Sequence, residues 1–274
     1  MECKDIIYEK KNSIARITLN RPESYNAFSV DMLDGWHRSL LDARRDDSIR
    51  VIVITGAGKA FCSGGDIKSM QAGRGFLHGY GQEGRDLSPL DFKKSLQQIV
   101  HRIPLVLASL DKPVIAAVNG PAMGAGLDMA LMCDMRIASD KAVFAESYIN
   151  VGLVPGDGGA FFLPRLVGVA KAMELLLTGA SIDAEEALRI GLVNKVVPAE
   201  KLEGESMELA GKIAGKSPQA ASLIKKLVYQ GLNSDMESAL DAVSSHMAVV
   251  SSSKDHREAL EAFFAKRDAN FKNE

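Results

Sequence analysis

The sequence lacks the features that mark several protein classes. Its 274 residues include three cysteines and no Cys-x-x-Cys pair, which gives neither a complete disulfide set nor a zinc pattern. The net charge is −2 and no long basic run occurs, which argues against nucleic-acid binding. The longest apolar runs, such as IPLVLASL, are too short to span a bilayer, and the N-terminus resembles no targeting peptide. We therefore expect a cytoplasmic protein with no membrane segment and no metal site.

What is present is a pattern of alternating strands and helices. The runs SIARITLN, RVIVITG and KPVIAAVNG predict strands, the last two covered on both faces of a sheet. SVDMLDGWHRSLLDARRD has helical apolar spacing behind a capping Ser29. After Pro164 the periodicity is mainly helical. We predict one α/β domain, with a core over about residues 1–195 and a helical region over about 196–274.

Two of the predicted strands lead into glycine-rich turns, AFCSGGDIKSM and NGPAMGAGLDMALMCD. Where strands of an α/β sheet precede helix N-termini, free backbone N–H groups point outward and can bind ligands. Two such turns side by side can direct two donors at one oxygen, as in an oxyanion hole, which is typically worth about 3–4 kcal/mol per donor. The alternative is that the glycines serve only close packing. Neither turn has the spacing of a nucleotide-phosphate motif.

Together the two turns resemble those of the crotonase superfamily, the enoyl-CoA hydratase/isomerase family. Other segments are similar to that family in the same order along almost the whole chain: NRPESYNAFS, FAESYINVGLVPGDGGAFFLPRLVG, LLLTGASIDAEEALRIGLVNKVV and AFFAKRDANF. The resemblance implies a spiral of ββα units with a helical C-terminal region used in assembly. It also implies an acyl-CoA substrate, no tightly bound cofactor, and a homotrimer or a homohexamer.

The resemblance further implies roles for individual positions. The backbone N–H groups of Gly65 and Ala125 would hold the thioester oxygen of the substrate. Contacts with the CoA moiety would come from Ser24, Ala27, Ser63, Gly65, Asp66, Ile67, Phe263 and Lys266. In some relatives the last two positions act from a neighbouring subunit, and for these a solvated helix face remains the alternative.

The acid–base positions depart from those of the family's hydratases. Asp128 and Tyr148 stand where hydratases have two glutamates, and a tyrosine with a reference pKa of about 10 is a donor rather than a base at neutral pH. Asp157 in VPGDGG supplies another acid, and helix N-capping is its alternative role. Glu146 would point to the opposite face from Tyr148 if the segment is a strand. Asp134 resembles a fold-supporting residue.

We predict an acyl-CoA lyase, with hydration of a 2-enoyl-CoA ahead of double-bond isomerisation. In this prediction Asp128 and Asp157 share proton transfer, and Tyr148 orients water or substrate. The alternatives are an isomerase or carbon–carbon bond hydrolase of the same fold, and a CoA-binding protein without activity. The glycine-rich segment 71–89, with His78 and Tyr80, predicts a mobile loop that influences the choice of acyl group.

Overall fold

A six-stranded sheet forms the centre of the fold. The computed structural model of the chain describes residues 3–73, 75–78, 84 and 87–274. The strand order is β1-β2-β3-β4-β6-β9, in which β1 is antiparallel to β2 and the other pairs are parallel. A smaller sheet has the order β5-β7-β8. The strands are β1 Ile6–Lys11, β2 Ile14–Leu19, β3 Val51–Gly56, β4 Val114–Val118, β5 Ala122–Met123, β6 Met135–Ser139, β7 Val143–Ala145, β8 Ile182–Asp183 and β9 Lys195–Val197.

Helices cover both faces of the large sheet. Alternate residues of β3 enter separate cores, Ile52 and Ile54 in one and Val51 and Val53 in the other, which confirms the two-sided burial predicted for that strand. The helices are α1 Val30–Arg45, α2 Ile67–Gln71, α3 Pro89–Ser95, α4 Arg102–Ser109, α5 Ala125–Leu131, α6 Gly159–Val167, α7 Val169–Thr178, α8 Ala184–Arg189, α9 Leu202–Ala214, α10 Pro218–Gly231, α11 Met236–Ser251 and α12 Lys254–Ala265.

Helix α10, the end of α9 and the residues after α12 contact the edge of the sheet at which its parallel strands begin, whereas the rest of α9 covers one face of the sheet. Arg50, just before β3, donates hydrogen bonds to the carbonyls of Ala214 (2.9 Å) and Phe271 (2.6 Å). Asp134, just before β6, pairs with Lys225 at 2.8 Å and accepts a hydrogen bond from Tyr229 at 2.9 Å, both on α10. Because the glycine-rich turns follow the other ends of the strands, this region and the turns lie at opposite edges of the sheet.

Several local predictions can be compared with the structure. Ser29 caps α1 by accepting a hydrogen bond from the Met32 amide at 2.9 Å, as its position predicts. Among the strands that were not predicted, β5 and β8 are two residues long and β9 is three, which is too short for a periodic pattern. Tyr80, part of the predicted mobile loop, lies outside the described residues. In the part of the chain that is described, no helix is long and apolar enough to cross a membrane.

Candidate active site

The two glycine-rich turns meet at the N-terminus of α5. A Cβ atom on Gly126 would lie 2.0 Å from the carbonyl oxygen of Cys62, so only glycine permits this approach. A Cβ atom on Gly64 would likewise lie 3.1 Å from the Ala125 nitrogen. The turn after β3 is therefore in direct contact with the first residues of α5.

The backbone around Gly65 and Ala125 leaves two N–H groups without partners. The carbonyl of Gly64 accepts a hydrogen bond from the Phe28 amide at 2.8 Å, and because a trans peptide places its C=O and N–H on opposite sides, the Gly65 N–H points away from that contact. Ala125 is the first residue of α5, where amides have no intrahelical acceptor. Neither amide donates to another group in the described part of the chain. Both are available to a ligand oxygen.

A cavity of about 280 Å³ opens beside these amides. It brings together six of the residues predicted from the sequence, namely Ser63, Gly65, Ile67, Ala125, Tyr148 and Asp157. Most of the remaining lining is apolar and comes from Met70, Leu77, Phe92, Leu96, Met123, Val151, Leu153 and Val154. Such a lining suits an acyl chain, and the polar side chains of the lining are those of Ser63, Ser147, Tyr148, Asn150 and Asp157.

The phenol of Tyr148 joins two carboxyl groups. Its oxygen lies 2.8 Å from Oδ2 of Asp128 and 2.8 Å from Oδ2 of Asp157. A phenol has one proton to donate, so it can donate to one carboxylate and must accept from the other carboxyl in its protonated form. The arrangement therefore favours a cluster in which the two aspartates share one proton.

Asp128 lies behind Tyr148 and contributes no surface to the cavity. Its side chain is fully buried on α5, and Oδ2 also accepts a hydrogen bond from the Asp157 amide at 3.2 Å. Burial, followed by the charge of Asp157, raises the pKa of Asp128 well above its usual range. Asp128 can therefore hold a proton near neutral pH and can exchange it with the cavity only through Tyr148 or Asp157.

Asp157 is not a helix cap. The N-cap residue of α6 is Gly158, which makes no side-chain capping hydrogen bond. The Asp157 carboxylate faces Tyr148 instead. Burial raises its pKa, while the hydrogen bond from Tyr148 and the nearby His101 oppose that rise. The capping interpretation is wrong because the preceding turn directs the carboxylate toward the cavity.

Sequence reasoning missed His101 near the site, and it expected Glu146 on the opposite face from Tyr148 if that segment is a strand. His101, which follows a π-helical turn over Leu96–Val100, lies 2.8 Å through Nε2 from the carbonyl of Gly156 and so supports the turn that carries Asp157. Glu146 is buried against Asp128 rather than on the opposite face from the site. Strand β7 ends at Ala145, so the period-two argument does not extend to Glu146.

Two of the segments predicted to bind CoA, around Ser24 and around Ser63, pack against each other. Ser63 Oγ donates to the carbonyl of Ser24 at 3.3 Å, and the Ala27 amide donates to the same carbonyl at 3.0 Å. Asp66 caps α2 by accepting from the Ser69 amide at 3.1 Å and pairs with Arg21 at 3.4 Å. These contacts place Ser24, Ala27 and Asp66 beside Ser63, although none of the three lines the cavity.

Phe263 and Lys266 are not among the residues that meet at the cavity. Both lie at the end of α12, where the Phe263 ring is exposed, and neither lines the cavity. The helical region that carries them contacts the opposite edge of the sheet through Arg50.

Comparisons with known proteins identify the family of the chain. Residues 9–274 match the model of the family described as "Enoyl-CoA hydratase/isomerase". The chain is 38% identical over 275 residues to the short-chain-enoyl-CoA hydratase of Clostridium acetobutylicum, covering 100% of both chains. It is 37% identical to the crotonyl-CoA hydratase of Syntrophomonas wolfei, covering 99% of both.

A solved structure shows the same fold. An enoyl-CoA hydratase from Bacillus anthracis superposes with a TM-score of 0.88 at 33% identity, covering 98% of this chain and 100% of the other. The predicted fold and the predicted hydratase-type enzyme class are confirmed by these matches. The chain belongs to the enoyl-CoA hydratase/isomerase family.

Proposed function

We propose that this protein adds water across the double bond of a 2-enoyl-CoA. The observation that carries the proposal is the Tyr148 phenol, 2.8 Å from each of two carboxyl groups, in a cavity that also contains two free backbone N–H groups. The relatives named short-chain-enoyl-CoA hydratase and crotonyl-CoA hydratase favour a short acyl group. The substrate is a CoA thioester, and no other cofactor is part of the proposal.

In the first step, the thioester oxygen binds the N–H groups of Gly65 and Ala125. When water attacks C3 of the substrate, negative charge moves onto this oxygen and an enolate forms. Two fixed donors stabilise that charge more than they stabilise the neutral thioester, at about 3–4 kcal/mol per donor. The apolar lining of the cavity strengthens the effect because it excludes competing water.

Protons then move through Asp157, Tyr148 and Asp128. Asp157 accepts a proton from the attacking water, because it is the carboxyl group of this cluster that lines the cavity. Tyr148 donates its proton to C2 and takes one from protonated Asp128. The proton gained by Asp157 returns to Asp128 through the phenol oxygen, which is 2.8 Å from each carboxylate, and this restores the cluster.

The CoA moiety is proposed to bind along the turns that follow β2 and β3. Ser63, Asp66 and Ile67 would hold the adenine end and the pantetheine through their backbone, and Ser24 and Ala27 would lie along the chain. The contacts between Ser63 and Ser24 support this proposal because they make one continuous surface from the two turns.

We also propose that the chain forms a homotrimer or a homohexamer. Exposed apolar side chains on the C-terminal helices support this, and they include Ile224, Val228, Leu232, Met236, Leu240, Met247, Phe263 and Phe264. In such an assembly Phe263 and Lys266 can reach the CoA of a neighbour. Light scattering coupled to gel filtration tests the stoichiometry, and a monomer would contradict it. The free Cys3, Cys62 and Cys133 suit the reducing cytoplasm that we propose as its location.

Absorbance of the enoyl thioester tests the reaction. Incubation with crotonyl-CoA and with longer 2-enoyl-CoAs should lower this absorbance and form 3-hydroxyacyl-CoA. Failure to hydrate any 2-enoyl-CoA would contradict the hydratase proposal. If the protein still bound CoA thioesters, that outcome would favour the CoA-binding alternative without activity.

Isomerisation is the second candidate function. One phenol bound to two carboxyl groups can return to C4 a proton that was taken from C2, without using water. A 3-enoyl-CoA substrate tests this candidate, because its conversion raises the absorbance of the conjugated thioester. A rise with 3-enoyl-CoA, together with no hydration of 2-enoyl-CoA, would establish isomerisation in place of hydration.

A further inference from the structure

A buried glutamate next to the active site has no part in the mechanism above. Glu146 is 1% exposed and directly follows β7, where the backbone turns into the short helix that carries Tyr148. It contributes no surface to the cavity, so it cannot touch the substrate. A carboxyl group is costly to bury unless it is hydrogen-bonded or carries a proton.

The first residue of α6 shows how close Glu146 and Asp128 are. A Cβ atom on Gly159 would lie 2.2 Å from Oδ1 of Asp128 and 2.8 Å from Oε1 of Glu146. Both oxygens therefore face the same point at the start of α6. They use the space that the missing side chain of Gly159 leaves open.

The pair needs a proton between its two carboxyl groups. If both groups were ionised, Oδ1 of Asp128 and both oxygens of Glu146 would have no hydrogen-bond partner among the described residues. Two adjacent buried carboxylates would also repel each other. A proton on Glu146 removes the repulsion, and the hydrogen bond that Glu146 then donates gives a partner to Oδ1 of Asp128 and to one of its own oxygens.

The surrounding charges place that proton on Glu146. The groups that face it are Asp128 on α5 and Asp157 before α6, while Tyr148 and His101 face the aspartates. Burial, followed by the negative charge of Asp128, raises the pKa of Glu146 far above the usual range of a carboxyl group. The direction of this shift favours a protonated Glu146.

We propose that Glu146 is a positioning residue, which in its neutral form donates a hydrogen bond to Oδ1 of Asp128 and so holds Oδ2 toward Tyr148. The inference rests on the proposed hydratase function, since it assigns Glu146 a role in the same acid–base cluster. With Oδ1 bound on one side, Oδ2 remains fixed between the Tyr148 phenol and the Asp157 amide. The hydrogen bond also favours the ionised form of Asp128, so Asp128 can give up its proton when Tyr148 protonates C2.

Two substitutions separate this role from packing. Glu146→Gln keeps a donor of the same length, and we expect its kcat to stay within about threefold of the unmodified enzyme. Glu146→Met fills a similar volume without a donor, and we expect kcat to fall by up to about 100-fold with little change in KM, because Asp128 loses its orientation. The alkaline limb of the pH profile should move upward in Glu146→Met only, since loss of the hydrogen bond raises the pKa of Asp128. Equal kcat values and equal pH profiles for the two variants would overturn the proposal.

Infrared spectroscopy tests the proton on Glu146 without relying on catalysis. At about pH 8 the unmodified protein should show the C=O stretching band of a protonated carboxyl group, and the difference spectrum should assign this band to Glu146 by its loss in Glu146→Gln. A spectrum without such a difference overturns the inference even if Glu146→Met fails to fold. Absence of turnover in the unmodified protein contradicts the proposed function, whereas normal turnover without the infrared band contradicts only the role of Glu146.

Discussion

The Tyr148 phenol oxygen lies 2.8 Å from a carboxylate oxygen of Asp128, a residue that contributes no surface to the substrate cavity. Asp128 is fully buried, so its carboxyl group is linked to the substrate cavity through the Tyr148 phenol. By the family resemblance, Tyr148 stands where hydratases have their second glutamate, and Asp157 is a further acid bound to the same phenol. Through this phenol the two aspartates can share one proton.

Removing the phenol oxygen should stop proton transfer while leaving the cavity intact. We expect Tyr148→Phe to lower kcat by about 10²- to 10⁴-fold and to leave KM within a few fold, because the ring still fills its space. Steady-state kinetics on a 2-enoyl-CoA measure both constants.

Tyr8→Phe is the matched control for this substitution. The Tyr8 phenol donates to Asp42 at 2.8 Å, a contact of the same type and length outside the site. Its kcat should equal that of the unmodified enzyme. Similar losses in the two variants would show that a general loss of stability, rather than the bridge, explains the effect.

The pH dependence of kcat should be bell-shaped. The reaction needs one carboxylate and one protonated carboxyl group, so activity is lost at low pH when both are protonated and at high pH when both are ionised. Since burial raises the pKa values of Asp128 and Asp157, both limbs should lie above the usual carboxyl range. A rate that is constant from about pH 5 to about pH 10 would contradict a shared proton.

Burial of Asp128 should lower the stability of the fold near neutral pH, although its carboxyl group is needed for activity. The pKa of Asp128 is higher in the native chain than in an unfolded one, so its ionisation destabilises the fold as pH rises from about 4 through the raised value. Asp128→Asn removes this loss, and we expect it to raise the free energy of unfolding by about 1–3 kcal/mol at pH near 8.

The gain should disappear near pH 4, where the aspartate is neutral in both the folded and the unfolded chain. The same variant should lose most of its activity. Thermal unfolding at the two pH values, at one protein concentration, measures the difference. A gain that is as large at pH 4 as at pH 8 would show that ionisation of Asp128 is not its cause.

A methyl group at position 159 should displace the side chains of Asp128 and Glu146. The new Cβ would lie 2.2 Å from Asp128 Oδ1, so Gly159→Ala should lower kcat by about 100-fold and destabilise the fold by about 1–3 kcal/mol. Gly211→Ala on α9 is the control, because its Cβ meets no atom within 4 Å. The control should keep full activity and gain up to about 1 kcal/mol from helix propensity. Full activity in Gly159→Ala would contradict the proposed crowding.

Local sequence patterns predicted the parts of the site that depend on local structure. The two glycine-rich turns were predicted from strands that lead into helices, where free amides are a property of the backbone, and the family resemblance then singled out Gly65 and Ala125 within them. The family resemblance supplied Asp128, Tyr148 and Asp157, and the structure places all three in one hydrogen-bonded cluster. The distances among them depend on how α5 packs against the turn before α6, which no single segment encodes.

The positions of other residues depend on long-range placement or on the end of a short strand. Glu146 was expected on the opposite face from Tyr148 if its segment is a strand, and the strand ends one residue earlier, at Ala145. Phe263 and Lys266 do not line the cavity of their own chain, because the helical region contacts the opposite edge of the sheet. Sequence periodicity predicts these helices but gives no information on which edge of the sheet they contact.

The most direct test of the account is a double-mutant cycle of Tyr148 and Asp157 on a 2-enoyl-CoA substrate. If Asp128, Tyr148 and Asp157 act as one proton-sharing unit, Tyr148→Phe combined with Asp157→Asn should lower kcat about as much as the more damaging single substitution. Losses that multiply, so that the double variant falls by the product of the two single effects, would contradict the claim that these residues act together.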